Sequence, residues 1–315
     1  MRALICGVGG QDGSYMAMLL LDKGYEVIGA SRDAMTASFS NLQKLGIKDR
    51  VTTVSMDLTD FRSVFYTVSK FCPDEIYNLA GQSSVGLSFE QPVETVESII
   101  VGTLNILEAI RFSGRPIRLY NAGSSECFGD AGDKPATEKT PFSPRSPYAV
   151  SKASAHYLVQ SYRESYNLYA CTGILFNHES PLRPERFVTQ KIVRTAARIA
   201  AGSDEKLVMG NIDIQRDWGW APEYVDAMWR MLQLGQPRDF VIATGKTVSL
   251  EYFISLVFNF FGLDYLDYLQ SNPELYRPSD IHIGRADPSK AAELLGWHAA
   301  TDVKGVIEKM CLTAK

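Results

Sequence analysis

The opening β-turn-α-β unit constrains the fold more than any other stretch. Ala3-Leu4-Ile5-Cys6 is an apolar run without alternation, as expected of a strand buried on both faces. Gly7, Gly10 and Gly13 follow, spaced G-x-x-G-x-x-G. Tyr15 to Lys23 then reads as a helix with Met16, Leu19 and Leu20 on one side, ending at Gly24. Glu26 to Ala30 reads as a second strand. In that context each glycine does something different. Gly7 allows the tight turn, Gly10 the close approach of backbone to a pyrophosphate, and Gly13 the packing of helix on strand. The helix N-terminus offers N–H donors and positive potential to phosphates.

The alternation continues. Strands are expected at Val51 to Met56, Glu75 to Ala80, Arg118 to Ala122 and Ala170 to Leu175, with helices over Asp60 to Lys70, Pro92 to Arg111 and Pro147 to Tyr166. Repeated strand–helix units imply an α/β fold, a doubly wound, mostly parallel Rossmann sheet with ligands at the strand C-termini. After Phe176 the regularity breaks. Asn177 to Pro184 is polar and proline-rich, Gly210-Asn211 and Arg216 to Trp220 read as turn-rich, and a helix is expected from Phe187 to Ala201. Val241 to Thr244 is one more strand, and the remainder reads as mostly helical. The division expected is residues 1–176 for the cofactor, with the strand near 241–244 returning to it, and an interleaved, largely helical substrate-binding part at 177–315.

Composition narrows the function. With 315 residues, 45% of them hydrophobic, the chain can bury a large core. A net charge of -4 argues against nucleic acid as a partner. Cys6, Cys72, Cys127, Cys171 and Cys311 are scattered, odd in number and without metal-site spacing, and read as buried thiols in a reducing cytoplasm. No apolar run is long enough for a membrane span, and Met1 leads straight into a strand, so no leader is expected.

The chemistry centres on Pro147-Tyr148-Ala149-Val150-Ser151-Lys152. Tyr148 and Lys152 share one helix face, and an ammonium beside a phenol favours the phenolate, a base for a sugar or alcohol hydroxyl. Ser124-Ser125-Glu126 lies just beyond the strand ending at Ala122, and its carboxylate is what proton removal next to a carbonyl requires. At the end of the second strand an NAD enzyme places an acid, whereas this chain has Ser31-Arg32. Arg32 beside a small hydroxyl suits a 2′-phosphate and favours NADP, with Asp33 placed to neutralise it. Asp57-Leu58 is expected at the adenine edge.

Gly7-x-x-Gly10-Gln11-Asp12-Gly13-Ser14-Tyr15, Asn78-Leu79-Ala80-x-Gln82-Ser83, Ser124-Ser125-Glu126, Tyr148-x-x-x-Lys152 and Asn177-His178-Glu179-Ser180-Pro181 together resemble an extended short-chain dehydrogenase/reductase. More narrowly they resemble the GDP-mannose 4,6-dehydratase family. Arg216-Asp217-Trp218-Gly219 and Arg277-Pro278-Ser279-Asp280 extend the likeness over nearly the whole chain. The resemblance implies an internal redox reaction with NADP: Tyr148 and Lys152 at C4, Glu126 at C5 and C6, and Ser124, where the family commonly has Thr, on O4. It implies cofactor contacts at Gly7, Gly10, Gln11, Asp12, Gly13, Arg32, Asp57, Leu58, Leu79, Ala80, Gln82, Tyr148, Lys152, Asn177, His178 and Arg183. It implies a GDP-sugar held by Ser83, Asn177, Lys191, Gly210, Arg216, Arg277 and Asp280, and a homodimer or homotetramer.

Three further positions depart from the family. Asp33 stands for a second Arg in a segment that reaches a neighbouring subunit, Asp280 for Glu, and Trp220 for a common His. The sugar therefore stays open at this point, a GDP-mannoheptose included. So do an epimerase, a 4-keto reductase and a UDP-glucuronate decarboxylase, and a Rossmann protein that only senses NADP(H).

Overall fold

β1 (Arg2–Cys6) is buried along most of its length and lies inside a seven-stranded sheet. Around it pair β2 (Glu26–Ser31), β3 (Thr52–Ser55), β4 (Glu75–Asn78), β5 (Arg118–Ala122) and β6 (Ala170–Leu175), all parallel. The computed structural model of the chain describes residues 1–130, 132–276 and 278–314. The chain winds outward from β1 through β2 to β3, then returns to the other side of β1 for β4 and onward. That reversal opens a crevice above the C-terminal ends of β1 and β4, where open α/β sheets bind ligands.

The second part is largely helical, as expected, with short strands between its helices. β7 (Asn177–Glu179), β8 (Leu207–Met209), β9 (Gln215–Trp220), β10 (Phe240–Ile242), β11 (Thr247–Ser249) and β12 (Leu269–Ser271) interrupt the helices. β10 pairs with β6 and closes the large sheet. β9 pairs parallel with β7 and antiparallel with β11, and β8 pairs with β12. The expectation of turns over Arg216 to Trp220 and of an irregular segment from Asn177 is thus corrected. Both are strands whose partners are distant in sequence, and their polar residues are used locally. Asp217, fully buried, accepts hydrogen bonds from Thr244 N and Gly245 N at 3.0 and 2.8 Å. Trp218 belongs to the core of this part, against Phe253 at 5.1 Å.

The helix Gln11–Asp22 begins four residues earlier than the apolar spacing implies, because its first turn is built from the glycine turn itself. The expected helix from Pro92 to Arg111 is broken by a π segment, Glu97–Val101, and continues as Gly102–Ser113. A short helix, Val85–Glu90, precedes it, capped by the Ser84 side chain. The helix Pro147–Tyr166 has the expected bounds, with Ser146 Oγ accepting from Ala149 N and Pro147 in the first turn. The five cysteines are free thiols; Cys72 is half-buried rather than buried.

Candidate active site

The glycine turn has the shape that a pyrophosphate needs. Gly7 has φ +80°, which favours glycine. A Cβ at Gly13 would stand 2.2 Å from the Gly7 carbonyl oxygen and 2.7 Å from Val8 Cα, so only glycine lets this helix rest on the turn. A Cβ at Gly10 would meet only Gly7 O, at 3.4 Å, so the face above Gly10 is open to a ligand.

Beside the turn, Asp12 faces His178. His178 Nε2 lies 2.9 Å from Asp12 Oδ2, and its Nδ1 lies 2.7 Å from Phe176 O. Burial opposes both charges, yet the pair overcomes it: Asp12 is drawn down to about 2, chiefly by the His178 charge, and His178 is raised by Asp12. The Gln11 amide is spent inside the protein. It donates to His178 O at 3.2 Å and accepts from Ser180 Oγ at 2.7 Å. Gln11 therefore ties the turn to β7 through its side chain.

From this point a cleft of about 380 Å3 runs across the C-terminal ends of β4, β5 and β6. It gathers Asp12, Leu79, Ala80, Ser83, Ser124, Glu126, Tyr148, Lys152, Asn177, His178, Arg183, Lys191, Gly210, Arg216 and Asp280. These residues come from both parts of the chain. Gly7, Gly10, Gln11, Gly13, Arg32, Asp57, Leu58 and Gln82 do not line it. The glycines and Gln11 form the turn at one end. Arg32, Asp57 and Leu58 follow the ends of β2 and β3. Gln82 folds back on its own loop, donating to Ser84 O at 2.8 Å and Thr95 Oγ1 at 3.2 Å. Asp57 Oδ1 is held by Thr59 N and Oγ1 at 2.9 and 2.8 Å. Arg277 lies outside the described residues.

Tyr148, Ser124 and Lys152 are each less than a tenth exposed. Lys152 Nζ donates to Ala122 O at 2.7 Å and stands 5.9 Å from the Tyr148 ring centroid. Burial pushes the ammonium down to about 8. The Tyr148 phenol does not stand below its ordinary value here. Burial raises the Tyr148 phenol, and the largest opposing influence is a hydrogen bond from Ser124, followed later by the Arg183 charge. Helical spacing places the two side chains on one face, but the carbonyl at the end of β5 claims the ammonium.

Arg32 is also engaged differently from the sequence reading. Asp33 folds into its own turn, accepting from Met35 N and Thr36 Oγ1 at 2.9 Å each. Glu94 is the acid facing Arg32, at 3.3 Å between largely exposed groups. At the far end, Arg216 Nη2 lies 3.4 Å from Asp280 Oδ1, and Lys191 Nζ donates to Val208 O at 2.6 Å. Of the departures from the family pattern, Asp280 lies in the cleft and Trp220 does not. Sequence reasoning missed Ser84, Arg186, Phe187 and Asn211, which also line it. Arg186 sits one residue before Phe187, whose ring lies 4.0 Å beneath the Arg183 guanidinium; only the neighbouring matched motif could have drawn attention to it.

A family model described as GDP-mannose 4,6 dehydratase matches residues 4–310. The chain belongs to the GDP-mannose 4,6-dehydratase family. It is 44% identical to GDP-mannose 4,6 dehydratase 2 of Arabidopsis thaliana over 98% of this chain and 85% of that one. It is 42% identical to the GDP-mannose 4,6-dehydratase of Yersinia enterocolitica over 98% of this chain and 91% of that one. Among solved structures, the UDP-glucose 4-epimerase of Thermotoga maritima with UDP-glucose superposes with a TM-score of 0.88 at 22% identity, covering 100% of both chains. RMD of Pseudomonas aeruginosa complexed with NADPH gives 0.81 at 21% identity, covering 99% of this chain and 98% of that one. At that identity the last two speak for the fold alone. Like the relatives named for this family, the chain is a hydro-lyase of nucleotide-sugar metabolism.

Proposed function

We propose that the chain catalyses the NADP-dependent 4,6-dehydration of GDP-mannose to GDP-4-keto-6-deoxymannose. The observation that carries this reading is the meeting of Glu126 with Tyr148, Lys152 and Ser124 in one cleft that continues to Lys191, Arg216 and Asp280. A plain reductase has no use for the carboxylate, and elimination next to a carbonyl depends on it.

Tyr148 takes the C4 hydroxyl proton, and Ser124 holds both that phenol and O4. Lys152, anchored on Ala122 O, keeps a cation beside the developing oxyanion. A bound nicotinamide would supply the hydride acceptor for C4 and the hydride source for C6, with no net consumption of cofactor. The C4 ketone acidifies the C5 hydrogen, which Glu126 removes. Glu126 then passes that proton to the C6 hydroxyl, which leaves as water; once hydride has reached C6, the enolate takes a proton at C5 from solvent by way of Glu126, and Tyr148 returns the C4 proton to solvent. Arg183 and the glycine turn suit the cofactor diphosphate, and Arg216 suits the substrate diphosphate, because a planar guanidinium bonds two oxygens at once.

Arg32 supports NADP over NAD, since a 2′-phosphate is a stronger partner for it than Glu94 across an exposed 3.3 Å gap. The division into a cofactor part, residues 1–176 with β10, and a substrate part, 177–315, belongs to this reading, as does a cytoplasmic location. An oligomer fits the exposed Val93, Val96, Val150 and Tyr157, which stand on two helices packed side by side. Incubation with GDP-mannose and catalytic NADP, followed by mass spectrometry, tests the whole: a product lighter by one water without net NADPH is expected. GDP-mannose that returns unchanged while a GDP-mannoheptose is dehydrated would move the substrate.

A further inference from the structure

Glu126 lies on a short turn, Ser125–Phe128, that leads through Gly129 to Asp130. Little in this segment can move. Gly129 has φ +68°, and a Cβ there would stand 2.3 Å from Ser143 O, so the chain is pressed against residue 143. Ser143 N donates back to Cys127 O at 2.8 Å. Phe128 is buried in a small cluster with Ala136, Phe176 and Ala286. Asp130 is thereby held in a fixed position relative to the Glu126 backbone.

Asp130 accepts from Gly132 N at 3.4 Å within its own loop, and from two amides of a distant segment, His282 N at 3.4 Å and Ile283 N at 3.2 Å. The same segment is bonded further along: Ala136 N donates to Arg285 O and Asp287 N to Ala136 O, each at 2.9 Å. Its other edge lies on β9. Gln215 N donates to His282 O at 2.7 Å, and Gly284 N to Gln215 O at 2.9 Å. Residues 282–287 are therefore a single extended strap, with the Glu126 loop on one edge and the strand carrying Arg216 on the other. Asp280, beside Arg216 in the cleft, stands just before the strap.

We propose that Asp130 is a positioning residue that sets the distance between the substrate's nucleotide end, at Arg216 and Asp280, and the Glu126 carboxylate. Tyr148 and Lys152 stand on the helix Pro147–Tyr166, which Ser146 caps and which meets the Glu126 turn through Cys127 Sγ and Ala149 O at 3.7 Å. The clasp therefore bears first on the proton transfers at C5 and C6, and reaches oxidation at C4 only indirectly, through Ser124 at the start of the Glu126 turn. Removing the Asp130 carboxylate takes away two hydrogen bonds between the Glu126 loop and the strap. A displacement of about 1 Å at the reacting atoms is enough to cost on the order of a hundredfold in rate.

This inference rests on the dehydratase reading, and the test separates the two. C4 oxidation is followed in a single turnover as the transient absorbance of enzyme-bound reduced nicotinamide, and Glu126 action as uptake of solvent deuterium at C5 and release of product. Asp130→Ala, an exposed substitution, is expected to keep C4 oxidation within about threefold of wild type while slowing C5 exchange and product release about tenfold or more. Asp130→Asn, which keeps a carbonyl acceptor for one strap amide, is expected to recover most of that loss. Arg285→Ala, which removes a bond to Asp133 O at 3.2 Å and leaves Asp130 in place, is expected to shift the same step by a smaller factor. Equal slowing of both steps, a rise in KM alone, or wild-type behaviour of Asp130→Ala would each overturn the proposal. A wild-type protein that shows neither step with GDP-mannose would instead overturn the assigned reaction.

Discussion

His178 Nε2 lies 2.9 Å from the Asp12 carboxylate, so the strand leaving the large sheet is bonded to the first turn of the helix that follows the glycine turn. The signs of the two shifts define where this bond stabilises. The folded value of Asp12, about 2, is below its ordinary 3.8, so its contribution is complete above pH 3.8 and lost as pH falls through 2. His178 is raised above 6.5, so its contribution is complete below pH 6.5 and lost as pH rises through its folded value. Wild-type protein should be most favoured by this pair between those limits. Asp12→Asn should cost about 1–3 kcal/mol there and flatten the alkaline decline in Tm, as thermal melts across pH would show.

The two glycines of the turn should fail differently. Gly13→Ala places a methyl into Gly7 and Val8 backbone, so it should destabilise by more than about 3 kcal/mol or prevent folding. Gly10→Ala meets one oxygen at 3.4 Å, so its Tm should stay near wild type while cofactor affinity falls. Calorimetry beside cofactor titration separates the two. A Gly10→Ala protein that binds cofactor normally would remove the pyrophosphate from that face.

Tyr148→Phe should abolish C4 oxidation, because no group replaces the phenol as base. Glu126→Gln should spare slow oxidation, visible as reduced nicotinamide absorbance, and block loss of water by about 10²–10⁴-fold. Release of 4-keto-6-deoxy product by Glu126→Gln at the wild-type rate would assign the elimination elsewhere.

Glu94 and Arg32 offer a test of cofactor choice. Arg32→Ala should weaken NADP far more than NAD. Glu94→Gln should change stability by less than about 0.5 kcal/mol, since both groups are largely exposed, and should tighten NADP while leaving NAD unchanged. Equal effects on both cofactors would take the 2′-phosphate away from Arg32.

The parallel sheet was legible because β1 is a continuous apolar run and the turn after it carries glycine where backbone closeness demands it, a pattern that strand–helix alternation then repeats. Tyr148 and Lys152, four residues apart on one helix, and Ser124 and Glu126, just past the strand ending at Ala122, stand out by spacing and residue type, and the fold brings all four to one cleft. β7 and β9 were not, because their polar residues suggest loops until pairing shows them buried: Asn177 lies opposite Trp218, and Asp217 is enclosed by the 244–245 turn. Two contacts were hidden for a related reason: the neighbour in sequence suggests Asp33 for Arg32, whereas the fold supplies Glu94, and the Ala122 carbonyl that Lys152 bonds besides facing Tyr148 is thirty residues away in sequence.

The return of β10 to β6 has a consequence for how the protein is made. β6 is buried along its full length, and its outer edge is paired by residues 240–242, with Asp239 accepting from Thr172 N at 2.7 Å. A nascent chain that has emerged as far as Phe176 holds most of the sheet but presents β6 as an unpaired apolar edge, a template for pairing with other chains. Safe completion must wait for synthesis of the intervening substrate-binding segment. A fragment ending at residue 176 should aggregate, and one extended past residue 242 should not suffer from that edge.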